Sequence, residues 1–175
     1  MEIRVAMPED RDAISAIHLS AFPEGEREVV AGLAVALLDL EQNPGTLNLV
    51  AEEEDGELVG HVVFSPVSAE EAEGFRGAIL APLAVSPGFQ KRGVGGRLIQ
   101  EGIRCLREQS ADALVVYGDP AYYGRFGFTV EAGKRYRAPY PLEMPFGWQG
   151  MEFATIREEV LHLRCVPALQ KPDLW

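Results

Sequence analysis

The feature that most constrains this chain is residues 80–106, where an apolar run, a turn, a basic glycine-rich loop and a segment of helical periodicity follow one another. The run reads LAPLAV at residues 80–85, and the loop reads QKRGVGG at residues 90–96. A strand, a loop of small residues and a helix in this order let consecutive backbone N–H groups converge on an anion at the helix N-terminus. The sequence therefore predicts a site for a phosphorylated ligand.

The periodicity of the first half predicts a strand over residues 2–7, a helix over residues 10–22 with Asp10 as its N-cap, and a second helix over residues 26–40. Residues 46–53 and 58–65 read as strands, and Asp55-Gly56 between them indicates an antiparallel hairpin with a primed turn.

In the second half, residues 78–85 and 112–117 read as parallel strands joined by a helix that starts near Gly93. Pro82 inside the first of them predicts a bulge or an unpaired position, since proline donates no hydrogen bond to a strand pair. A short helix over residues 122–126 and strands over residues 128–130 and 151–156 complete the prediction.

Composition limits the class of protein. The 175 residues lack a linker-like segment, so one domain over residues 1–175 is expected. A net charge of −11 argues against nucleic-acid binding and mildly favours a cationic substrate. The first residues lack a signal-peptide pattern and every long apolar segment is interrupted, which predicts a cytoplasmic protein that does not enter the membrane. The two cysteines and three histidines lack metal-ligand spacing, so no metal is expected.

The glycine loop by itself leaves alternatives open. It lacks the Gly-Lys-Ser/Thr ending of a P-loop, and Leu98 stands where a dinucleotide-binding fingerprint would have glycine. Gly93, Gly95 and Gly96 could also serve only to start a helix. A nucleotide-binding fold and a purely structural loop therefore both compete with the phosphate-site interpretation.

A second motif, PAYYGRFGF at residues 120–128, places Tyr123 four residues before Gly127. Together with the loop, which fits Gln/Arg-x-x-Gly-x-Gly/Ala, and with LAVSP at residues 83–87, it resembles the GNAT superfamily of acyl-CoA-dependent N-acyltransferases. Residues 60–67, 82–85 and 118–123 look like the YhbS-like subgroup of predicted acetyltransferases. The resemblance is strongest over residues 1–135, and residues 136–175 read as a C-terminal loop and strand extension.

The resemblance implies a mixed α/β (α+β) fold. Its centre is a twisted, mostly antiparallel sheet of about six or seven strands, with a splayed parallel pair formed by the fourth and fifth strands. About four helices flank this sheet. It also implies an N-acetyltransferase that uses acetyl-CoA as co-substrate and an amine as acceptor, with the oligomeric state left open between monomer and homodimer.

The same resemblance implies which residues act. Pantetheine would bond to the backbone of the fourth strand, and the pyrophosphate would face the loop and the first turn of the helix. The implied cofactor-binding residues are Leu83, Ala84, Val85, Gln90, Lys91, Arg92, Gly93, Val94, Gly95, Gly96 and Arg97.

Catalysis is implied to be direct attack of the amine in a ternary complex. The N–H of Leu83 would stabilise the oxyanion. Tyr123 would protonate the leaving thiolate, because a phenol and a thiol have similar pKa values. Adjacent Tyr122 is the weaker candidate for this role.

The general base and the acceptor remain open. Many family members carry a carboxylate on the fourth strand where this chain has Ala81-Pro82, so Glu26, Glu28, His61 or water alone are the candidates. A non-catalytic acyl-CoA-binding module is the alternative function. The walls of an acceptor site are expected in residues 22–28, 68–76 and 136–150. The aromatic residues of the last segment would suit either an apolar lining or a lid packed on the core; they are Tyr136, Tyr140, Phe146 and Trp148.

Overall fold

A computed structural model describes residues 1–154 and 159–175, which contain eight strands and five α-helices. In chain order these are β1 (Glu2–Val5), α1 (Arg11–Ala21), α2 (Arg27–Ala36), β2 (Leu47–Glu52), β3 (Leu58–Ala69), β4 (Gly77–Val85), α3 (Val94–Glu108), β5 (Ala113–Tyr117), α4 (Pro120–Tyr123), α5 (Val130–Gly133), β6 (Tyr136–Arg137), β7 (Trp148–Glu152) and β8 (Leu161–Cys165).

Hydrogen bonds order the strands β1-β2-β3-β4-β5-β7, with β8 paired to β3 and β6 paired to β8. The pairs β1–β2, β2–β3, β3–β8 and β5–β7 are antiparallel, whereas β4–β5 and β6–β8 are parallel. The predicted fold class, a mixed sheet with a parallel pair of fourth and fifth strands, is confirmed. Among the described residues the sheet has eight strands, against the six or seven expected, and five helices accompany it, against the four expected.

Two compact units divide the chain, one formed by Met1–Phe64 with Ala81–Arg104 and the other by Ser65–Leu80 with Cys105–Trp175. In the first unit, α1 and α2 pack against each other. Ile14, Ala34 and Val50 form a buried cluster there. The apolar faces read from the sequence thus become the core of this unit.

Asp10 stands at the N-cap position of α1, but its carboxylate makes no capping hydrogen bond to the helix. It accepts instead from the Met7 N–H at 2.7 Å and forms a two-pronged ion pair with Arg4, at 2.7 and 3.0 Å. Arg4 also pairs with Glu52. Asp10, the predicted N-cap, is therefore linked to β1 and, through Arg4, to β2. The Arg4 guanidinium holds the pKa of Asp10 below its usual value.

The β2–β3 hairpin is confirmed as antiparallel, but its turn is not a primed one. Of the connecting residues only Gly56 has positive φ, at 88°, whereas a type I′ turn needs positive φ at two positions. Its N–H donates to the Glu53 carbonyl at 3.0 Å. In this five-residue loop only Gly56 adopts a left-handed conformation, which directs the chain into β3.

Two glycines let α3 lie close against the strands of the first unit. A Cβ at Gly60 would meet Val94 and Leu98 of α3 at 3.0 Å, and a Cβ at Gly102 would lie 2.0 Å from the ring of Phe64. Leu98 and Ile99 are fully buried on the same helix. The start of α3, where the phosphate site was predicted, is thus fixed by close packing on β3.

Gly102→Ala is expected to destabilise the protein by about 1–3 kcal/mol, because the added methyl overlaps the buried Phe64 ring. Gly32→Ala is the matched control, since it is also a glycine inside a helix and has no atom within 4 Å of the new Cβ. That control should gain up to about 1 kcal/mol from helix propensity. Urea unfolding of the three proteins measures both effects, and equal stabilities would contradict the packing argument.

In the second unit, β4 and β5 pair in parallel from Gly77 opposite Ala113 to Leu80 opposite Val116. The strand β4 then continues to Val85, with a cis peptide bond between Ala81 and Pro82. The register with β5 thus ends just before Pro82, the position at which an irregularity was predicted.

The strand predicted over residues 128–130 is wrong. Thr129 forms a single bridge with Gly150, and its hydroxyl then accepts from the Ala132 N–H at 3.0 Å as the N-cap of α5. A capping threonine ends extended structure, so a helical turn replaces the strand. The short helix over residues 122–126 is seen as α4 followed by a 3₁₀ turn, Gly124–Phe126.

Contacts of aromatic side chains stabilise the rest of the second unit. Trp148 of β7 is buried, its indole N–H donates to the Tyr136 carbonyl at 2.6 Å, and its ring lies 5.9 Å from that of Trp175. β7 begins three residues earlier than the predicted strand over 151–156, and residues 155 and 156 of that prediction lie outside the described residues. None of the described helices has the length and apolar character to cross a bilayer.

Candidate active site

The second half of β4 offers a half-open edge. After Leu80 the burial alternates: Pro82 and Ala84 are buried, whereas Ala81, Leu83 and Val85 are partly exposed. The carbonyl of Ala84 faces Gly60 of β3, and the N–H of Ser86 donates to the Val59 carbonyl at 2.9 Å. One face of the strand is thereby packed in the core, while Leu83 and Val85 remain accessible to a ligand.

The loop after β4 is folded by its own side chains. The side-chain amide of Gln90 donates to the Val85 carbonyl at 3.0 Å, and the Phe89 N–H donates to the Ser86 carbonyl at 2.8 Å. Lys91 and Gly93 both have positive φ, at 60° and 85°. Gln90 is predicted to bind the cofactor. In the structure its side chain links the loop to the end of β4.

The loop delivers the chain into the N-terminus of α3. Gly93 accepts from the Arg97 N–H at 3.0 Å, the first turn of the helix. The first N–H groups of any α-helix lack partners within the helix and carry partial positive charge, so the backbone of residues 94–96 can receive an anion. This is the geometry that the sequence predicted for a phosphate site.

Exposed cations surround this helix end. The guanidinium of Arg92 lies 5.2 Å from the ring centroid of Phe89, while Lys91 is exposed. Arg97 is also exposed and donates to the Met1 carbonyl at 3.1 Å. In a chain of net charge −11, these three residues make a local basic patch at a helix N-terminus.

Tyr123, in the second unit, is held by aromatic contacts. Its ring lies against Gly118, where a Cβ would approach the ring to 2.5 Å, and it meets Phe128 and Tyr122 edge to face at 5.8 and 5.1 Å. Burial, followed by the charge of Tyr122, raises the pKa of Tyr123 well above its ordinary value. The phenol therefore stays protonated near neutral pH, but its pKa no longer lies close to that of a thiol, the similarity on which its predicted role as a proton donor rested.

Tyr122 has a different environment. Its ring is covered by the guanidinium of Arg125 at 4.5 Å and by Phe126 at 5.6 Å. Burial raises the pKa of Tyr122, and Arg125 opposes this rise. These contacts give Tyr122 a packing role on the outer side of α4, which favours Tyr123 over Tyr122 as the hydrogen donor.

His61, a candidate base, is fully buried and part of a closed network in the first unit. Its Nδ1 lies 2.9 Å from Nε2 of His18, and its Nε2 lies 3.3 Å from Oδ1 of Asn48. The Asn48 amide donates to the Leu37 carbonyl at 3.0 Å, so its oxygen must accept from His61. His61 then accepts from His18, and both of its ring nitrogens are occupied.

Burial lowers the pKa of His18 to about 4 and that of His61 to about 3. Both rings are therefore neutral near pH 7. Because His61 is inaccessible and weakly basic, the hypothesis that it deprotonates an incoming amine is not supported. Its place is structural, between α1, β2 and β3.

The two glutamates considered as bases are surface groups. Glu26 precedes α2 and is exposed, and Glu28 pairs with Arg27 at 2.9 Å. The hydrogen bond from Arg27 lowers the pKa of Glu28. The pKa of Glu28 is thus shifted away from neutral pH, the opposite of what a general base working there would need.

The predicted site residues are thus distributed over the two units. Residues 83–85 and 90–97 form one continuous half-open edge, loop and helix start in the first unit, and Tyr123 lies in the second unit. Their roles stay predictions. No cluster of three His, Cys, Asp or Glu side chains suited to a metal occurs in the part of the chain that the structure describes.

Comparison with known proteins places these features in a family. The profile of the acetyltransferase (GNAT) family matches residues 11–128. The uncharacterized N-acetyltransferase YhbS of Escherichia coli K12 is 36% identical over 142 residues, 81% of each chain. The uncharacterized N-acetyltransferase YjhQ of the same strain is 41% identical over 141 residues, 77% of each chain.

Two solved structures resemble the whole chain. YhbS from Escherichia coli in complex with CoA has a TM-score of 0.84 at 30% identity, covering 97% of this chain and 92% of that one. A GNAT acetyltransferase from Brucella melitensis in complex with acetyl-CoA has a TM-score of 0.76 at 30% identity, covering 97% of both chains. The family match and these relatives establish that the chain belongs to the acetyltransferase (GNAT) family.

Proposed function

We propose that this protein transfers the acetyl group of acetyl-CoA to a primary amine of a small molecule or protein, by direct attack within a ternary complex. The observation that carries the proposal is the half-open edge of β4 leading through a basic, positive-φ loop into the N-terminus of α3. The CoA and acetyl-CoA complexes of two relatives, each 30% identical over 97% of this chain, support it.

The residues of the first unit fit this co-substrate. Backbone N–H groups at residues 94–96 would bind the pyrophosphate, and Lys91, Arg92 and Arg97 would add charge. Leu83 and Val85, which are partly exposed, would bond to pantetheine through their backbone. The Val85 carbonyl already accepts from Gln90, so the N–H of Val85 is the simpler partner.

The chemistry requires one C–N bond to form and one C–S bond to break. The N–H of Leu83 would donate to the oxygen that becomes negative as the amine attacks. The acceptor ammonium would lose one proton to water before the attack and a second one after the C–N bond forms. Tyr123 would donate its hydroxyl hydrogen to the departing sulfur and take a proton back from water, which restores the phenol. The products are an acetamide and the free thiol of CoA.

The first test is the melting temperature with acetyl-CoA, CoA, NAD or ATP, each at millimolar concentration. A ligand that binds only the folded state raises it by mass action. We expect the two CoA compounds alone to do so, and thiol release to follow when amines are added. Absence of a shift with either CoA compound would overturn the assignment. Binding with no turnover on any amine would instead favour an acyl-CoA-binding module.

The basic patch gives a second prediction. Replacing Lys91 and Arg92 together with Glu is expected to weaken acetyl-CoA binding about tenfold or more, because two charged contacts to phosphate become repulsive. Lys171→Glu, a charge change at an exposed residue outside the loop, is the control and should leave the affinity within about twofold. Titration at low and high salt measures the effect, which should shrink as salt screens it. Equal losses in both proteins would argue that net charge alone is responsible.

A further inference from the structure

We infer that an apolar cavity in the second unit binds the apolar part of the acceptor, and that the preferred acceptors are primary amines carrying an aromatic or branched aliphatic group. This inference rests on the proposed acetyltransferase function and names its substrate class. The cavity has a volume of about 440 Å³ and lies between the end of β5, the start of α4 and residues 144–147.

The lining is apolar because its polar backbone atoms are already paired. The Gly118 N–H donates to the Gly147 carbonyl at 2.9 Å, and the Gly147 N–H donates to the Met144 carbonyl at 2.8 Å. The Gln149 amide donates to the Gly118 carbonyl at 3.2 Å. What remains toward the cavity is largely carbon, from Pro120, Met144 and Phe146.

Met144 and Phe146 are unusual in being large apolar side chains that are 53% and 56% exposed. Their loop is nevertheless fixed, because the Met144 N–H donates to the hydroxyl of Tyr117 at 2.9 Å. A ligand that places apolar groups in a pre-formed apolar cavity binds more tightly, by about fourfold for each methylene that it buries. Trp148 and Tyr136, by contrast, are buried and belong to the core.

Asp119 supplies the charge that selects an amine. It is the one charged residue among those described around the cavity, and it is exposed. One carboxylate oxygen accepts from the Ala121 N–H at 2.8 Å, which leaves the other oxygen for a ligand. A carboxylate beside an apolar cavity suits the ammonium group in which an alkyl amine arrives at neutral pH.

The cavity also adjoins the proposed hydrogen donor. Gly118 lines it, and the ring of Tyr123 lies directly against Gly118. An amine whose apolar group fills the cavity would therefore be held beside the residue proposed to serve the leaving group. This shared glycine thus places the cavity next to Tyr123 within the second unit.

The test uses calorimetric binding of phenethylamine and ethanolamine to the full chain in the presence of CoA. We expect phenethylamine to bind at least tenfold more tightly. Met144→Lys should weaken phenethylamine binding at least tenfold by placing a cation in the cavity wall. Met7→Lys is the matched control, because Met7 is 48% exposed and lies outside the cavity, and its binding should be unchanged. Equal affinity for the two ligands, or equal effects of the two substitutions, overturns the inference.

The charge is tested by Asp119→Asn, which keeps an oxygen for the Ala121 N–H. This substitution should weaken the binding of phenethylamine severalfold and leave the binding of the neutral phenethyl alcohol unaffected. Equal losses of affinity for both ligands would overturn the role of Asp119.

Thiol release from acetyl-CoA separates the two proposals. Cavity binding of phenethylamine with no thiol release from any amine would sink the proposed function and leave the cavity assignment. Acetylation of polar and apolar amines with equal efficiency would support the proposed function and overturn the cavity assignment.

Discussion

Tyr123→Phe is expected to lower kcat for acetyl transfer about 100-fold or more, the usual scale for removing a positioned proton donor. The substitution removes a single oxygen and keeps the ring that packs on Gly118 and Phe128. The affinity for acetyl-CoA and the melting temperature should therefore stay near those of the wild type. Thiol release under saturating acetyl-CoA and amine, with a separate titration of CoA, measures the two effects independently.

Tyr122→Phe is the matched control for this experiment. The same atom is removed from the neighbouring residue, and the contact between Arg125 and the ring face does not depend on the hydroxyl. We expect kcat to change by less than about threefold. Equal losses in both variants, or full activity of Tyr123→Phe, would remove Tyr123 from the mechanism.

The pH profile should separate hydrogen donation from simple ionisation. Burial holds the pKa of Tyr123 far above neutral, so its phenol does not ionise over the range in which enzymes are assayed. The activity of the wild type should consequently show no alkaline loss from this residue below about pH 10. A fall near pH 8 that disappears in Tyr123→Phe would mean that the phenol has an ordinary or lowered pKa in the complex.

The sequence was sufficient to predict those parts of the site that are formed by residues close together in the chain. The strand, loop and helix over residues 80–106 follow from apolar patterning, glycine and the order of elements, and all three are seen. The parallel pairing of β4 and β5 also follows, because a strand–helix–strand crossover favours it. No strand was predicted for β8, although Leu161, Leu163 and Cys165 alternate with polar residues in the sequence and are buried in alternation with exposed ones.

Contacts between residues distant in sequence could not be derived. His18 and His61 lie 43 residues apart, and nothing in the spacing indicated that two helices and two strands would bring them together in the core. The sequence left His61 as a candidate base, and only its burial excludes this. Likewise, Phe146 and Trp148 are two residues apart and similar in chemistry, yet one lines a cavity and the other is buried. Burial is decided by tertiary packing rather than by residue type.

Acidification from pH 7.5 to pH 5 is expected to lower the free energy of unfolding by about 4 kcal/mol through the two buried histidines. Their pKa values in the folded protein are about 4 for His18 and about 3 for His61, against about 6.5 in an unfolded chain. Between these values the unfolded state binds more protons than the folded one, so stability falls as the pH falls. At pH 5 each ring accounts for about 2 kcal/mol of the loss.

The hydrogen-bond network explains why neither ring accepts a proton easily. The chain of donors runs from His18 through His61 to Asn48, so a proton added at His61 Nδ1 would face the N–H of His18. Nδ1 of His18 is buried with no hydrogen-bond partner among the described residues, so a charge there would be desolvated. Asp10 favours protonation of His61, but burial outweighs it.

Urea unfolding at a series of pH values measures this loss, and the third histidine provides the control. His162 is exposed and lies outside the buried network, so His162→Gln should retain the part of the pH dependence that the buried pair causes. His18→Gln and His61→Gln should each remove about half of it. Asp10, whose pKa is lowered, loses its stabilising contribution only as the pH falls below its unfolded value of about 3.8, outside this range.

Imidazole resonances give a readout that requires no variant. In the folded wild type at pH 5, His18 and His61 should remain neutral. If both rings titrate near pH 6.5 without loss of structure, the pair is not desolvated in solution, and the acid sensitivity must arise elsewhere. If the pair stays neutral and stability still falls between pH 6.5 and 5, the proton deficit of the folded state is the cause.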